Sequence, residues 1–163
     1  MKTFSDDDIM NLISCKKNVV QPPRKDMKLD RASYRNDMQL ESEDGSVRFS
    51  VFMRRNQEFM ENFSIGLCYH SREGDTFNLL RFNGPHGLNI GLEPGTHYSY
   101  HIHRADAENL NDGCFSERRV NLTAKYASYE EAMNYFIKAV GIVDADKYFP
   151  PIDRQLMLFT EEG

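Results

Sequence analysis

The chain has 163 residues, 40% of them apolar and 28% charged, with 11 Phe, 8 Tyr and no Trp. That is one domain's worth of chain with enough apolar residues to pack a core, which excludes a wholly disordered protein. No apolar run approaches the roughly 18 residues of a membrane span, and a formal charge of −5 argues against bulk non-specific binding of nucleic acid.

The first residues set a compartment and a helix. Asp6, Asp7 and Asp8 stand where a signal peptide needs a basic start and an apolar run, so a cytoplasmic protein is expected. The same acids, preceded by Ser5, favour a helix start, and Ile9, Leu12 and Ile13 supply its apolar stripe. Cys15, Cys68 and Cys114 are odd in number and widely spaced, which fits neither a disulfide framework nor a thiolate zinc site. Cys68, close to His70, is the one candidate for a reactive thiol.

Charge is unevenly spread. Lys16 to Arg35 holds seven Lys and Arg against two Asp (+5), whereas Asp106 to Gly163 holds six against eleven acids (−5). Pro22 and Pro23 break the basic stretch, which is expected to be a mobile arm. Residues 1–36 are therefore read as an N-terminal helix and basic arm.

The middle of the chain alternates with a period of two. Met38 and Leu40 come first; Asp44-Gly45 then marks a turn before Val47, Phe49, Val51 and Met53. Phe63, Ile65, Leu67 and Tyr69 follow, then Phe77 to Phe82, closed by Asn83-Gly84-Pro85-His86-Gly87. Tyr98, Tyr100 and Ile102 alternate with His97, Ser99, His101 and His103, and Val120, Leu122 and Ala124 give the last strand. Short links predict an antiparallel meander of five or six strands. Ser128 with Glu131 reads as a capping box, and Tyr129, Ala132, Met133, Phe136, Ala139 and Val140 then share one helical face up to Gly141. The fold class is α+β, with residues 37–143 as the core domain and this helix packed on one sheet face. Residues 144–163, with Tyr148, Phe149 and Leu156 to Phe159, form an apolar tail expected to pack on the core or on a second subunit.

All five histidines, His70, His86, His97, His101 and His103, fall within 34 residues. Alternation puts His97, His101 and His103 on one strand face, either as a solvated polar surface or as a site. Between Leu29 and Ala124 there are ten Arg and no Lys, and Arg holds phosphates and carboxylates in a planar fork. Arg48, Arg54, Arg81 and Arg104 are candidate anion-binding residues; pairing with acids such as Glu58, Glu61 and Asp106 is the plainer reading. Arg81, His86, His101 and His103 are expected to gather in one concave patch, because consecutive antiparallel strands usually pair. Within such a patch one histidine takes a 2′-hydroxyl proton, another protonates the leaving oxygen, and Arg81 and Arg104 stabilise the phosphate. His101-x-His103 is also a possible metal pair, but no HExxH accompanies it, and neither a metal nor a cofactor is expected. Walker, Rossmann, GxSxG and CxxC motifs are all missing from the sequence.

Arg48-Phe49-Ser50-Val51-Phe52, Glu61 to Leu67, Leu80 to Gly87, His101 to Arg104, and then Tyr126, Glu131 and Ala132 form an ordered string. Over 37–142 it resembles a family of small uncharacterised proteins from bacteria, phages and mobile elements. Arg81-Phe82-Asn83, Pro85-His86 and His101-Ile102-His103 are also similar to motifs of Tum-type toxin–antitoxin toxins, with Asn83 in place of an acid and Gly84 inserted. The expectation is a small accessory protein of a bacterium or mobile element that binds a macromolecular partner, protein or RNA, in a toxin–antitoxin or anti-defence role. The alternative is a metal-independent ribonuclease-like toxin using His86, His101, His103 and Arg81. No membrane contact is expected, and the tail could support an oligomer.

Overall fold

The computed structural model describes residues 3–85, 99–113 and 119–149. Among them, eight strands form one antiparallel sheet: β1 Lys17–Gln21, β2 Lys28–Asp30, β3 Ser33–Ser42, β4 Arg48–Asn56, β5 Phe63–His70, β6 Thr76–Asn83, β7 His101–Arg104 and β8 Arg119–Leu122. β3 to β8 follow chain order, while β1 and β2 both pair with β3. The α+β class and the antiparallel meander are as the alternation predicts. The sheet is larger than five or six strands because the basic segment, expected to lack regular structure, supplies β1 and β2. Pro22 and Pro23 fall in the gap between these strands, where no ladder donor is needed.

One face of the sheet is the core. Met38 and Leu40 of β3, Phe49, Val51 and Met53 of β4, Ile65 and Leu67 of β5 and Leu80 and Phe82 of β6 lie on it in register, all buried. Each such side chain is worth about 1.5–3 kcal/mol of burial. Two helices cover this face. Helix α1, Asp6–Ser14, begins in a capping box in which Ser5 accepts from the Asp8 amide and Asp8 from the Ser5 amide. Helix α3, Tyr129–Ala139, is capped by Ser128, and its Phe136 ring meets Phe82 edge-on at 5.3 Å. Ala132, Met133, Phe136 and Val140 are buried, as the periodicity predicts. A short helix not evident in the sequence, α2, Ala107–Asn111, starts on Asp106, whose carboxylate accepts from the Asn109 amide.

Lys17 joins these layers. It lies on the core face of β1, fully buried, and its ammonium donates to the carbonyls of Ile13, Cys15 and Val140, each at 2.8 Å. The ends of α1 and α3 thus share one cation, and the ring of Phe49 lies 4.6 Å beneath it. After α3, a single turn at Ala145–Lys147 buries Ala145, and Phe149 packs against the core. The remainder of the expected apolar tail, 150–163, lies outside the described residues. No helix among the described residues is long and apolar enough to cross a membrane.

Candidate functional site

The face away from the helices is built from the alternate residues of the same strands, and its two central rows carry the chemistry. One row runs Arg35, Arg54, Ser64, Asn83, His101 across β3 to β7; the next runs Asp37, Phe52, Gly66, Arg81, His103. Pairing of β6 with β7 therefore sets Arg81 opposite His103 and Asn83 opposite His101, side by side on one face. His86 and His97 lie outside the described residues, as does Cys114.

His101 and His103 are not solvated. They are 0% and 6% exposed, and their rings meet at 5.1 Å. A hydrogen-bond chain fixes the first of them. The Ser64 hydroxyl donates to Asn83 Oδ1 at 2.7 Å, and Asn83 Nδ2 faces His101 Nε2 at 3.3 Å. His101 Nδ1 lies 2.8 Å from the Ser99 carbonyl. An amide nitrogen can only donate and a carbonyl can only accept, so His101 is neutral with its proton on Nδ1. Both of its ring nitrogens are thereby engaged.

Two further groups hold this corner. The Tyr126 hydroxyl reaches the carbonyl oxygens of Asn83 at 3.0 Å and His101 at 2.8 Å, and its ring stacks on Phe82. Burial pushes that hydroxyl above the usual tyrosine range, so it stays a donor. Gly84, just beyond β6, donates its amide to the Phe63 carbonyl, and a Cβ there would overlap the Glu61 carbonyl oxygen. The Asn83-Gly84 pair is thus set by close backbone approach.

The four candidate anion-binding arginines do not act as one group. Arg54 and Arg81 lie together: burial, then repulsion from Arg35 and Arg81, holds Arg54 below the usual arginine range. Arg48 is on the same face but beside His70, farther along the strands. Arg104 is on the other face, where it pairs with Leu80 and reaches Met10 Sδ of α1 at 3.2 Å. Ion pairs take up Arg35 with Asp30, Arg55 with Glu130 and Arg119 with Asp106.

Sequence reasoning singled out Cys68 and His70 on this face but missed the partners that make them a second polar cluster. Ser50 Oγ lies 2.7 Å from His70 Nε2, whose Nδ1 lies 3.2 Å from Thr76 Oγ1, and Cys68 Sγ lies 3.0 Å from Asn78 Oδ1. Burial lowers the His70 pKa, so the ring is neutral near pH 7. The spacing is that of a nucleophile and base, but a hydroxyl, not a carboxylate, orients the ring. Ser50 also sits mid-sheet between β3 and β5, where strand amides are spent on the ladder. Only register shows this pair, because Ser50 and His70 are 20 residues apart. Among the described residues, no group of three or more His, Cys, Asp or Glu is placed to hold a metal ion. No protein-family model, curated protein or solved structure matches the chain.

Proposed function

We propose that the protein acts by binding a macromolecular partner through the open face of the sheet, and not by turnover. The observation that carries this reading is the hydrogen-bond chain Ser64–Asn83–His101–Ser99, which engages both nitrogens of a fully buried ring. A general base must offer a nitrogen to the proton it takes, and His101 offers none. What the face does present is exposed guanidinium groups, Arg35 and Arg54, suited to an anionic partner. The likeness of 37–142 to small proteins of bacteria and mobile elements supports an accessory role of toxin–antitoxin or anti-defence type.

The placement of Arg81 opposite His103 favours a second reading, ribonuclease-like phosphoryl transfer with His86, His101, His103 and Arg81. One experiment separates the two. Purified protein is incubated with total RNA, with and without chelator, beside the His86/His101/His103 triple alanine variant. Intact RNA throughout is expected; cleavage present in the wild type and lost in the triple variant overturns the binding reading. In parallel, Arg54→Glu is expected to abolish partner capture from lysate while leaving the fold intact.

A further inference from the structure

The histidine network occupies the β6–β7 end of the open face; the β3–β5 end is built differently. Arg35 and Arg54 are cross-strand partners there, both exposed, with Phe52 two positions from Arg54 on the same face. The Phe52 ring lies over Gly66, where a Cβ would sit 2.2 Å from two of its ring carbons. Gly66 is the cross-strand partner of Phe52, so the missing side chain is what leaves room for the ring. Beyond Arg35 lies a cleft of about 320 Å³, lined among others by Arg24, Lys28 and Leu29. Along this stretch four cations, Arg24, Lys28, Arg35 and Arg54, face two carboxylates, Asp30 and Asp37. The Asp30–Arg35 pair, at 3.5 Å and half exposed, neutralises little of that field.

We infer that this end of the face binds single-stranded nucleic acid, one base stacking on Phe52 and the adjoining phosphates held by Arg35 and Arg54. The inference rests on the binding reading and names its partner class. An aromatic ring beside a pair of guanidinium groups matches an unstacked base on a charged backbone. A duplex offers no free base face, and an acidic peptide has no use for the ring. Arg35 and Arg81 each repel the Arg54 guanidinium, and an overall charge of −5 does not cancel that field at close range. The phosphate and the stacking base are common to RNA and DNA, so the strand chemistry is left to the measurement.

The test is fluorescence anisotropy of the full chain with labelled oligo-U, oligo-dT, a duplex of equal length and heparin. Single strands are expected to bind more tightly than the duplex, and the tighter of oligo-U and oligo-dT identifies the strand. Phe52→Ala is expected to weaken single-strand binding at least about 5-fold and leave heparin binding unchanged, whereas Phe52→Tyr retains it. Arg54→Gln is expected to weaken both and lower the salt slope by about one. Unchanged affinity in Phe52→Ala, preference for the duplex, or no binding of any strand overturns the inference. If no strand binds while Arg54→Glu still abolishes capture of a lysate partner, the inference fails and the binding reading stands. Histidine-dependent cleavage of the oligonucleotide overturns the binding reading but not a Phe52-dependent affinity. A thermal melt of each variant separates loss of the site from loss of the fold.

Discussion

Replacing Lys17 tests what ties the helices to the sheet. Its ammonium fills three carbonyl acceptors, those of Ile13, Cys15 and Val140, at 2.8 Å each. Hydrogen bonds to a charged donor are worth about 1.5–3 kcal/mol each, so the gross contribution is roughly 5–9 kcal/mol. Burial opposes it, lowering the Lys17 pKa from 10.5 to about 8, with Cys15 acting the other way. That depression corresponds to about 3.4 kcal/mol at 1.36 kcal/mol per pKa unit. Lys17→Met keeps the stem and removes both terms, leaving an expected net loss of about 2–5 kcal/mol. Urea unfolding followed by far-UV circular dichroism reads this as a midpoint shift of about 1–2 M at an m-value near 2 kcal/mol/M. A loss under about 1 kcal/mol would mean that apolar packing alone joins the helices to β1.

The pH dependence gives a second handle on the same residue. Between about pH 8 and 10.5 the unfolded chain keeps the Lys17 proton while the folded chain has released it. The unfolded state then binds more protons, so stability rises with pH through this window. The penalty for a buried ammonium is fully present below pH 8 and relieved by pH 10.5. The stability gap between wild type and Lys17→Met should therefore widen by about 3 kcal/mol from pH 7 to 10.5. A gap that stays flat across that range refutes the depressed pKa.

The other expectations follow from burial and close approach. Phe136 is fully buried against Phe82, so Phe136→Ala should cost about 3–5 kcal/mol in urea unfolding, and a loss below about 1 kcal/mol would make α3 peripheral. Tyr126→Phe removes the hydroxyl that serves the Asn83 and His101 carbonyls, with an expected loss of about 1–3 kcal/mol and no change in core shape. Gly66→Ala should displace the Phe52 ring, a movable side chain, at a stability cost below about 1 kcal/mol while weakening single-strand binding as Phe52→Ala does. Equal single-strand affinity in Gly66→Ala would show that the ring over Gly66 is not the binding platform.

The fold was legible where one period dominated. Strict alternation at Phe49-Val51-Met53 and Phe63-Ile65-Leu67 settles strand type and core face together, and the Ser128–Glu131 cap with its apolar stripe does the same for α3. It failed at Lys16 to Arg35, where charge and two prolines imitate a linker. Lys17 shows why: a lysine in a basic run reads as solvated, yet the ends of two helices, brought together only by tertiary packing, give it three acceptors. No local pattern contains Val140, which is 123 residues away from Lys17.

At the candidate site, alternation says which residues share a face but not how water meets that face. His101 and His103 fall on one side of β7 with Arg81 and Asn83 beside them, as strand pairing predicts. A period-two pattern of His and hydrophobic residues reads as a polar outside, yet both rings are buried. The decisive residues were the unremarkable ones. Ser64 contributes a donor, Asn83 an acceptor and a donor, and Ser99 an acceptor, and only the register of Ser64 and Asn83, 19 residues apart, joins them into a chain that fixes one tautomer. The same register places Gly66 under Phe52, which no glycine count could disclose. The face away from the helices therefore divides by chemistry into a buried histidine end, where both ring nitrogens of His101 are engaged, and an exposed arginine–phenylalanine end. A polar network already satisfied within the protein has little to gain from a ligand, whereas like charges held together on an exposed surface gain from an anion. That asymmetry is the physical ground for looking for a partner at Arg35, Phe52 and Arg54 before looking for a reaction at His101.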